Sequence, residues 1–569
     1  LLFSTYSEDF SAKPAGNDGP TIMPNFGAKI LNTAVSSLSA QQAVIATTAN
    51  NIANVNTPGY ARRQAQLETR SGSSGSGIDV GNGVQVADVQ RLSDKFLEGL
   101  LQTATGVKGQ DQVKSDYLGR IDALFDLTGV QTTIGSSLNE FFSAANQVAL
   151  NPSNIELRSN LISRGQDVAT TITSAYNTIA AVQTELDQRL STEIAAVNNI
   201  SRQIAELNTK VAQRESGGFT AGDERDQRDV LLTKLAEKLS FQTVETADGM
   251  VNIFTPDGFP LVNAGSFRGL AVTTNPSFST GSVPPSLGGG ALGYVVFDYG
   301  AGGTAPSHVD LTRTLKAGGG LIGGILQLRG YNTVTNISAF QADGDLVAVA
   351  SRIESMARTL LTNVNQTYLG VDENSGVAGL QSSSGDLNGA TPLPFGLFDF
   401  NYAGTKDVDG DGIPELSDLL TLSPSVDNFA SRLSFAVTAP AGFAAARDVD
   451  ATAGVTAFPT GDGRNASAIA ALRTNSFSFS TGSFALSSTF DDLYSDTVNY
   501  VGNSKSTAVS NLTVSKANLT IAANRRDEVS GVSLDEEFAN LIKFQRAFQA
   551  SAKMIGTAKD LLDQIVNLL

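Results

Sequence analysis

The 569-residue chain contains no cysteine, no tryptophan and a single histidine, His308. Without cysteine there is no disulfide scaffold, no thiol nucleophile and no Cys/His zinc centre. His308 is the only imidazole open to a Ser/His/Asp arrangement, and its Pro/Ser/Gly-rich surroundings read as a loop with a solvated side chain. Charge is scarce as well, at 17% of residues against about 25% in an average soluble domain. The 39 basic and 56 acidic side chains leave a net charge of −17, which argues against the clustered basic face of a nucleic-acid binder. No run approaches the ~18 apolar residues of a membrane span. Glycine, by contrast, is plentiful at 55 residues. This inventory suits a secreted or assembling structural protein better than an enzyme, and no paired acid/base constellation is identifiable. At about 150 residues per domain the length predicts roughly four domains.

Leu1 to Ile22 has no basic leader or long apolar core and carries Glu8, Asp9 and Asp18 against Lys13. It reads as a disordered extension rather than a signal peptide, with Met23 expected to begin the natural protein.

Periodicity is the strongest feature present. Leu31, Leu38, Ile45 and Ile52 recur every seven residues near the start; Leu534, Leu541, Phe548, Ile555, Leu562 and Leu569 do so at the end. That spacing places one apolar stripe along each helix and favours a left-handed supercoil, within the chain and between subunits. A longer seam alternates Ala169, Tyr176, Leu190, Val197, Ile204 and Val211 with Ile172, Ile179, Leu186, Ile200 and Leu207, interrupted by Gln183 and Glu193. Asn151-Pro152 reads as its N-cap and first turn. Shorter helical patterns cover about 92–127, 134–149, 223–239, 336–368 and 485–527. From Phe241 to about Leu328 short β-rich runs are punctuated by Asp248-Gly249 and Asp257-Gly258, both hairpin dipeptides.

The expected fold is α+β and multidomain. A disordered extension spans 1–22, a terminal coiled-coil domain is built from 23–60 and 528–569, and a helical bundle from 61–240, 331–368 and 461–527. A β-rich domain covers 241–330 and a β-rich surface insertion 369–460.

Asp407-Val408-Asp409-Gly410-Asp411-Gly412-Ile413 begins like a calcium loop, with alternating carboxylates and glycine at the sixth position. Asp407, Asp409 and Asp411 would ligate through carboxylates, Ile413 through its carbonyl, and Asp418 would stand at the twelfth position. Calcium is thus a possible ligand and no cofactor is required; an acidic turn without an ion explains the same residues. Gly461-Asp462-Gly463-Arg464-Asn465-Ala466 fits G-x-G-x-x-A but follows no clean strand. Gly318-Gly319-Gly320 and Gly323-Gly324 lack the Lys-Ser/Thr of a phosphate loop and point to close packing or a hinge. Asp535-Glu536-Glu537 opens the last helix, where complementing the macrodipole suffices to explain it.

Ala49-Asn50-Asn51-Ile52-Ala53-Asn54-Val55-Asn56-Thr57-Pro58-Gly59-Tyr60 resembles the signature of bacterial flagellar rod, hook and hook-associated axial proteins, and Gly81 to Arg91 resembles the strand that follows there. Ser530 to Leu541 and Phe544 to Ala550 are similar to the C-terminal helix of the hook-associated protein 1 family. Asp226-Gln227-Arg228-Asp229, Gly320 to Leu326 and Gly463 to Ala466 agree with it. The insertion 369–460 carries no family motif. The resemblance implies a structural, non-enzymatic component of the hook–filament junction, exported unfolded through the flagellar type III channel and located outside the cell. Its implied partners are further copies of itself in a ring or helical turn of roughly eleven subunits. The hook protein, the second junction protein, the flagellin side of the filament and an export chaperone complete the set; nucleic acid and membrane are not among them. Hook or distal-rod protein, sharing the Asn-rich signature, and a calcium-dependent surface adhesin are the alternatives.

Overall fold

A computed structural model describes residues 24–70, 81–125, 133–218, 220–274, 286–298, 308–331, 343–369, 384–385, 396–400, 429–447, 459–482 and 484–568. The extension before residue 24, the Asp407 to Asp418 loop and Leu569 lie outside them. In chain order, helix α1 (Pro24–Ala53) leads into a hairpin of β1 (Arg63–Thr69) and β2 (Val84–Arg91). Helices α2 (Lys95–Asp122), α3 (Ile134–Leu150), α4 (Ile155–Ser216) and α5 (Gly222–Lys238) follow. Strands β3 (Gln242–Glu245), β4 (Val251–Phe254), β5 (Pro260–Asn263) and β6 (Ser266–Phe267) make an antiparallel meander. A second antiparallel sheet holds β7 (Leu270–Thr273), β8 (Tyr294–Asp298) and β9 (His308–Asp310). Helices α6 (Thr312–Gly318), α7 (Gly320–Arg329) and α8 (Asp345–Leu369) come next. Then β10 (Ser384–Gly385) pairs with β13 (Ala446–Arg447), and β11 (Phe398–Phe400) with β12 (Leu433–Phe435). Helix α9 (Arg464–Ala471), the hairpin of β14 (Phe477–Thr481) and β15 (Phe484–Ser488), and helices α10 (Phe490–Ser530) and α11 (Leu534–Leu568) complete the chain. His308 thus has its backbone at the start of a strand, paired with Asp298, rather than in a loop.

The chain forms two compact units. One comprises 1–95, 214–226 and 525–569; the other comprises 96–213 and 227–524.

The larger unit is organised on the long stripe of α4. Ile172, Tyr176, Ile179, Leu186, Leu190, Val197 and Ile204 are fully buried, each contributing about 1.5–3 kcal/mol against an exposed position. Gln183 breaks the apolar pattern yet is fully buried, because its amide is satisfied by the backbone: it donates to the Arg329 carbonyl at 2.8 Å and accepts from Leu287 N–H at 2.8 Å. The helix begins later than the Asn151-Pro152 pair suggests. Asn151 caps the end of α3, and Asn154 Oδ1 accepts from the N–H groups of Glu156 and Leu157 to start α4.

Asp248-Gly249 and Asp257-Gly258 turn β3 into β4 and β4 into β5, as their dipeptides suggest. Among the described residues of 241–330 the last strand ends at Asp310, however, and the apolar run Leu321 to Leu328 is the buried helix α7. A short all-apolar run suits a buried helix as well as a buried strand, and packing decides between them. Gly320 enters α7 at φ +73°, where a Cβ would lie 2.7 Å from the Leu239 backbone; close packing accounts for the glycine. The segments on either side of 401–428 are fastened to the helices by buried polar groups. Glu354 accepts from Phe429 and Ala430 N–H, Asn365 bonds the backbone of Leu397 and Phe398, and the Arg158 guanidinium donates to the Pro152 and Phe443 carbonyls.

Candidate assembly site

In the smaller unit α1 and α11 lie antiparallel. Asn51 meets Glu537, and Ser37 meets Ser551 with hydroxyls 2.9 Å apart. Each pair of contacts is fourteen residues apart on both helices, which is two heptads, so the faces stay in register as the seven-residue spacing requires. Along α1 the most buried residues are small or polar: Ala34, Ala40, Val44, Thr48 and Asn51. Leu31, Leu38, Ile45 and Ile52 flank that line at intermediate exposure. On α11, Leu541, Phe548, Ile555 and Leu562 are likewise intermediate, Leu534 is 41% exposed, and the buried positions are Glu537, Ser551 and Ala558. The large apolar side chains chosen by spacing therefore retain surface in the single chain.

The end of α1 is tied by asparagines, each with a separate task. Asn54 closes the helix: its amide donates to the Asn50 carbonyl at 2.9 Å, and its own carbonyl accepts from Thr57 N–H. Thr57-Pro58-Gly59 then turns the chain, with Gly59 at φ +80°. Asn51, 1% exposed, does the longer-range work. Its Oδ1 accepts from Arg63 N–H at 3.0 Å and from the Tyr60 hydroxyl at 2.9 Å, while its Nδ2 donates to the Arg63 carbonyl and to Glu537 Oε2 at 3.1 Å. One side chain thereby holds the turn, the first strand and the last helix.

Glu537 is 2% exposed and completes the knot, accepting from Arg62 Nε at 2.7 Å; Arg62 Nη1 also donates to Glu536 at 2.8 Å. Backbone bonds add to it, from Arg62 N–H to the Ser530 carbonyl and from Leu92 N–H to the Arg62 carbonyl. A dipole-complementing role, enough to explain Asp535, does not explain Glu537: its carboxylate is the acceptor for two donors from the other end of the chain. The type of residue gave no warning of this, since the partners are 475 and 486 positions away.

A second cluster lies on the hairpin. Arg63 and Arg91 stand directly opposite in the β1–β2 register, a like-charge pairing that costs stability unless neutralised. Asp226 supplies the counter-charge, bonding Arg91 Nε at 2.5 Å and Arg63 Nη2 at 3.2 Å, and Asp223 takes Arg63 at 2.5 Å. Burial pushes the Asp226 carboxyl above the usual carboxylate range, against the pull of Arg91 and Arg63. Arg63 also covers the Tyr60 ring at 5.1 Å, and burial raises the Tyr60 hydroxyl. Thr220 donates to Asp88 at 2.8 Å, so 214–226 is held to β2 at two points. In the same signature Arg228 does something different: within the larger unit it donates to Asn208 Oδ1 and to the Gly249 carbonyl. Gly83 before β2 is needed for space, since a Cβ there would fall 2.0 Å from Ser36 Oγ on α1.

Between the Asn54–Tyr60 turn and the α10–α11 corner lies an open cleft of about 510 Å³, edged by Asn56, Pro58, Arg62, Arg526, Val532 and Glu536. Among the described residues no group of three or more His, Cys, Asp or Glu could hold a metal ion, and no helix is long and apolar enough to cross a membrane. Nothing in this arrangement is poised to move a proton or activate a nucleophile. Its chemistry is that of a fastening, with apolar surface left over on both helices.

Comparison with known proteins places these features. The family model described as flagellar hook-associated protein FlgK helical domain matches residues 118–381. Flagellar basal body rod FlgEFG protein C-terminal matches 524–568, and flagella basal body rod protein matches 31–60. These last two segments are the helices tied by Asn51 and Glu537. The chain is 25% identical over 587 residues to flagellar hook-associated protein 1 of Escherichia coli (strain K12), covering 95% of this chain and 99% of that one. It is 26% identical over 579 residues to the protein of that name from Salmonella typhimurium, with 95% and 99% covered. For Bacillus subtilis (strain 168) it is 25% over 560 residues, with 94% and 97% covered. The solved structure of the flagellar hook junction protein FlgK from Burkholderia pseudomallei shares the fold, with a TM-score of 0.56, 15% identity, and coverage of 76% of this chain and 100% of that chain. Its terminal segments and helical domain are matched by flagellar family models, and nearly its whole length is similar to proteins named flagellar hook-associated protein 1.

Proposed function

We propose that this chain is a structural component of the bacterial flagellum that forms the junction between hook and filament, assembling through its paired terminal helices. The observation that carries the reading is the knot of Asn51, Arg62 and Glu537, which makes one unit from the two ends of the chain and sets α1 beside α11. A fastening of that kind suits a subunit that transmits torque and does no chemistry. Leu31, Leu38, Ile45 and Ile52, with Leu541, Phe548, Ile555 and Leu562, supply half-exposed apolar surface for packing within and between subunits.

Its partners are further copies of the chain and the hook and filament proteins on either side. The finer reading is a ring or helical turn outside the cell, with a second junction protein towards the filament and an export chaperone before assembly. No cofactor is required. The test is complementation of cells that make hooks but shed filament subunits: the unaltered chain restores filaments, and the Leu541→Asp/Phe548→Asp variant does not, although the larger unit stays folded. Failure of the unaltered chain would turn the assignment towards hook or rod protein; filaments built by the double variant would remove the helix pair from the mechanism.

A further inference from the structure

Helix α4 carries the two small sheets of the larger unit on asparagine side chains. Asn198 bonds Leu270, at the start of β7, twice: it accepts from the N–H at 2.9 Å and donates to the carbonyl at 2.7 Å. Strand β7 lies at the edge of its sheet, so this amide supplies the bonds that a neighbouring strand would make. Asn208, fully buried, treats Val251 of β4 in the same way, at 3.0 Å and 2.8 Å, and donates also to the Ala264 carbonyl at 2.8 Å. Val251 and Ala264 stand where the β4–β5 ladder would continue past Ile253 and Val262, but the chain turns away at Ala264 with φ 53°. The Asn208 amide fills that missing rung.

Apolar packing alone does not say where along the helix the sheets must sit. Leu190, Val197, Ile204 and Val211 are fully buried and recur every seven residues, so the stripe matches itself after a slide of one heptad, about 10.5 Å. The amides do not repeat. Seven positions either side of Asn198 stand Ser191 and Ala205, and either side of Asn208 stand Ser201 and Glu215. None of these carries an amide that pairs with an N–H and a carbonyl together, so the slide forfeits the five backbone bonds of Asn198 and Asn208. Each such bond is worth about two- to tenfold in an equilibrium, which decides what the stripe leaves open. We propose that Asn198 and Asn208 are register locks, which hold the sheets at one position along α4 and stop them sliding on its axis. Such a lock lies wholly within the larger unit and is independent of the junction reading.

The full chain has no cysteine, so introduced pairs report alone. A Cβ at Gly265 would lie 3.9 Å from the Thr209 Cβ, the separation of a disulfide, so Thr209→Cys/Gly265→Cys reads the native register. Arg202→Cys/Gly265→Cys, one heptad away, reads the slid one. With both asparagines in place, mild oxidation should close the 209/265 pair and leave the 202/265 pair open. With Asn198→Leu/Asn208→Leu added, closure of the 202/265 pair should rise at least about tenfold, the share set by losing the preference of a single bond or more. Hydrogen exchange over 190–211 should stay slow in that variant, because the apolar stripe is untouched. A 202/265 pair that stays open while 209/265 still closes would show that other contacts set the register. Loss of the 209/265 link with no gain at 202/265, or fast exchange over 190–211, would show that the amides hold the fold together without choosing its register. Each of these results would overturn the proposal.

Discussion

Replacing Glu537 by alanine should unfasten both ends of the chain at once. The carboxylate is 2% exposed and accepts from Arg62 Nε at 2.7 Å and from Asn51 Nδ2 at 3.1 Å. Removing one partner of a buried ion pair costs about 3–5 kcal/mol, and the 21% exposure of the Arg62 side chain puts this case at the low end, about 3 kcal/mol. Glutamine keeps the shape and one acceptor but loses the charge, so Glu537→Gln should cost about 1 kcal/mol. These are large fractions for a helix pair whose most buried residues on α1 include Ala34, Ala40, Thr48 and Asn51. The assay is hydrogen exchange on the full chain, reading peptides over 45–63 and 534–548. About 3 kcal/mol corresponds to a roughly 150-fold fall in protection, and it should strike both peptides. Equal effects of Glu537→Ala, Arg62→Ala and the double variant would confirm that the two residues act as one. A change within twofold, a loss confined to α11, or an unaltered chain with no protection in either peptide would refute the reasoning.

Glu185 gives a pH signature. Hydrogen bonds from Arg120 and then Tyr117 hold its carboxyl down to about 2, so it contributes stability above the unfolded-state pKa and loses it as pH falls towards 2. Melts of Glu185→Gln between pH 5 and 2 should therefore fall less steeply than those of the unaltered chain; parallel slopes would contradict this. Glu354→Leu should cost about 3–5 kcal/mol, because Phe429 N–H, Ala430 N–H and the Arg358 guanidinium lose their buried acceptor. Urea unfolding together with exchange over 429–437 reads it, and a neutral result would contradict this. Gly463→Ala would place a Cβ 2.2 Å from the Ala149 carbonyl oxygen, and the resulting shift of α9 should cost about 1–3 kcal/mol in thermal unfolding.

Much of this protein was legible in the order of its residues. The stripe of α4 is readable because one face of a helix repeats every three to four positions, and its members are buried apart from the half-buried Ile200. Asp-Gly turns are readable because φ above zero selects glycine locally. The Asn-Thr-Pro-Gly turn and the last helix are recognisable by motif, and with them the likeness to flagellar axial proteins. Where the reading went astray, the information was not local. Leu321 to Leu328 has the composition of a strand or a buried helix alike, and Asn151 yields its capping role to Asn154 by a choice of backbone path.

Tertiary structure alone decided the rest. Seven-residue spacing picks out large apolar side chains, but which flank of a helix meets its partner depends on what the partner offers. In this molecule the seam takes Ala34, Ser37, Asn51, Glu537 and Ser551, and leaves Leu534, Phe538 and Ile542 towards solvent. Nor could the bond between Asn51 and Glu537 be inferred from either residue, since an amide and a carboxylate are equally at home in water. Only the fold brings positions 486 apart to 3.1 Å and removes the solvent between them, and that burial is what turns two ordinary polar side chains into the fastening of the chain's two ends.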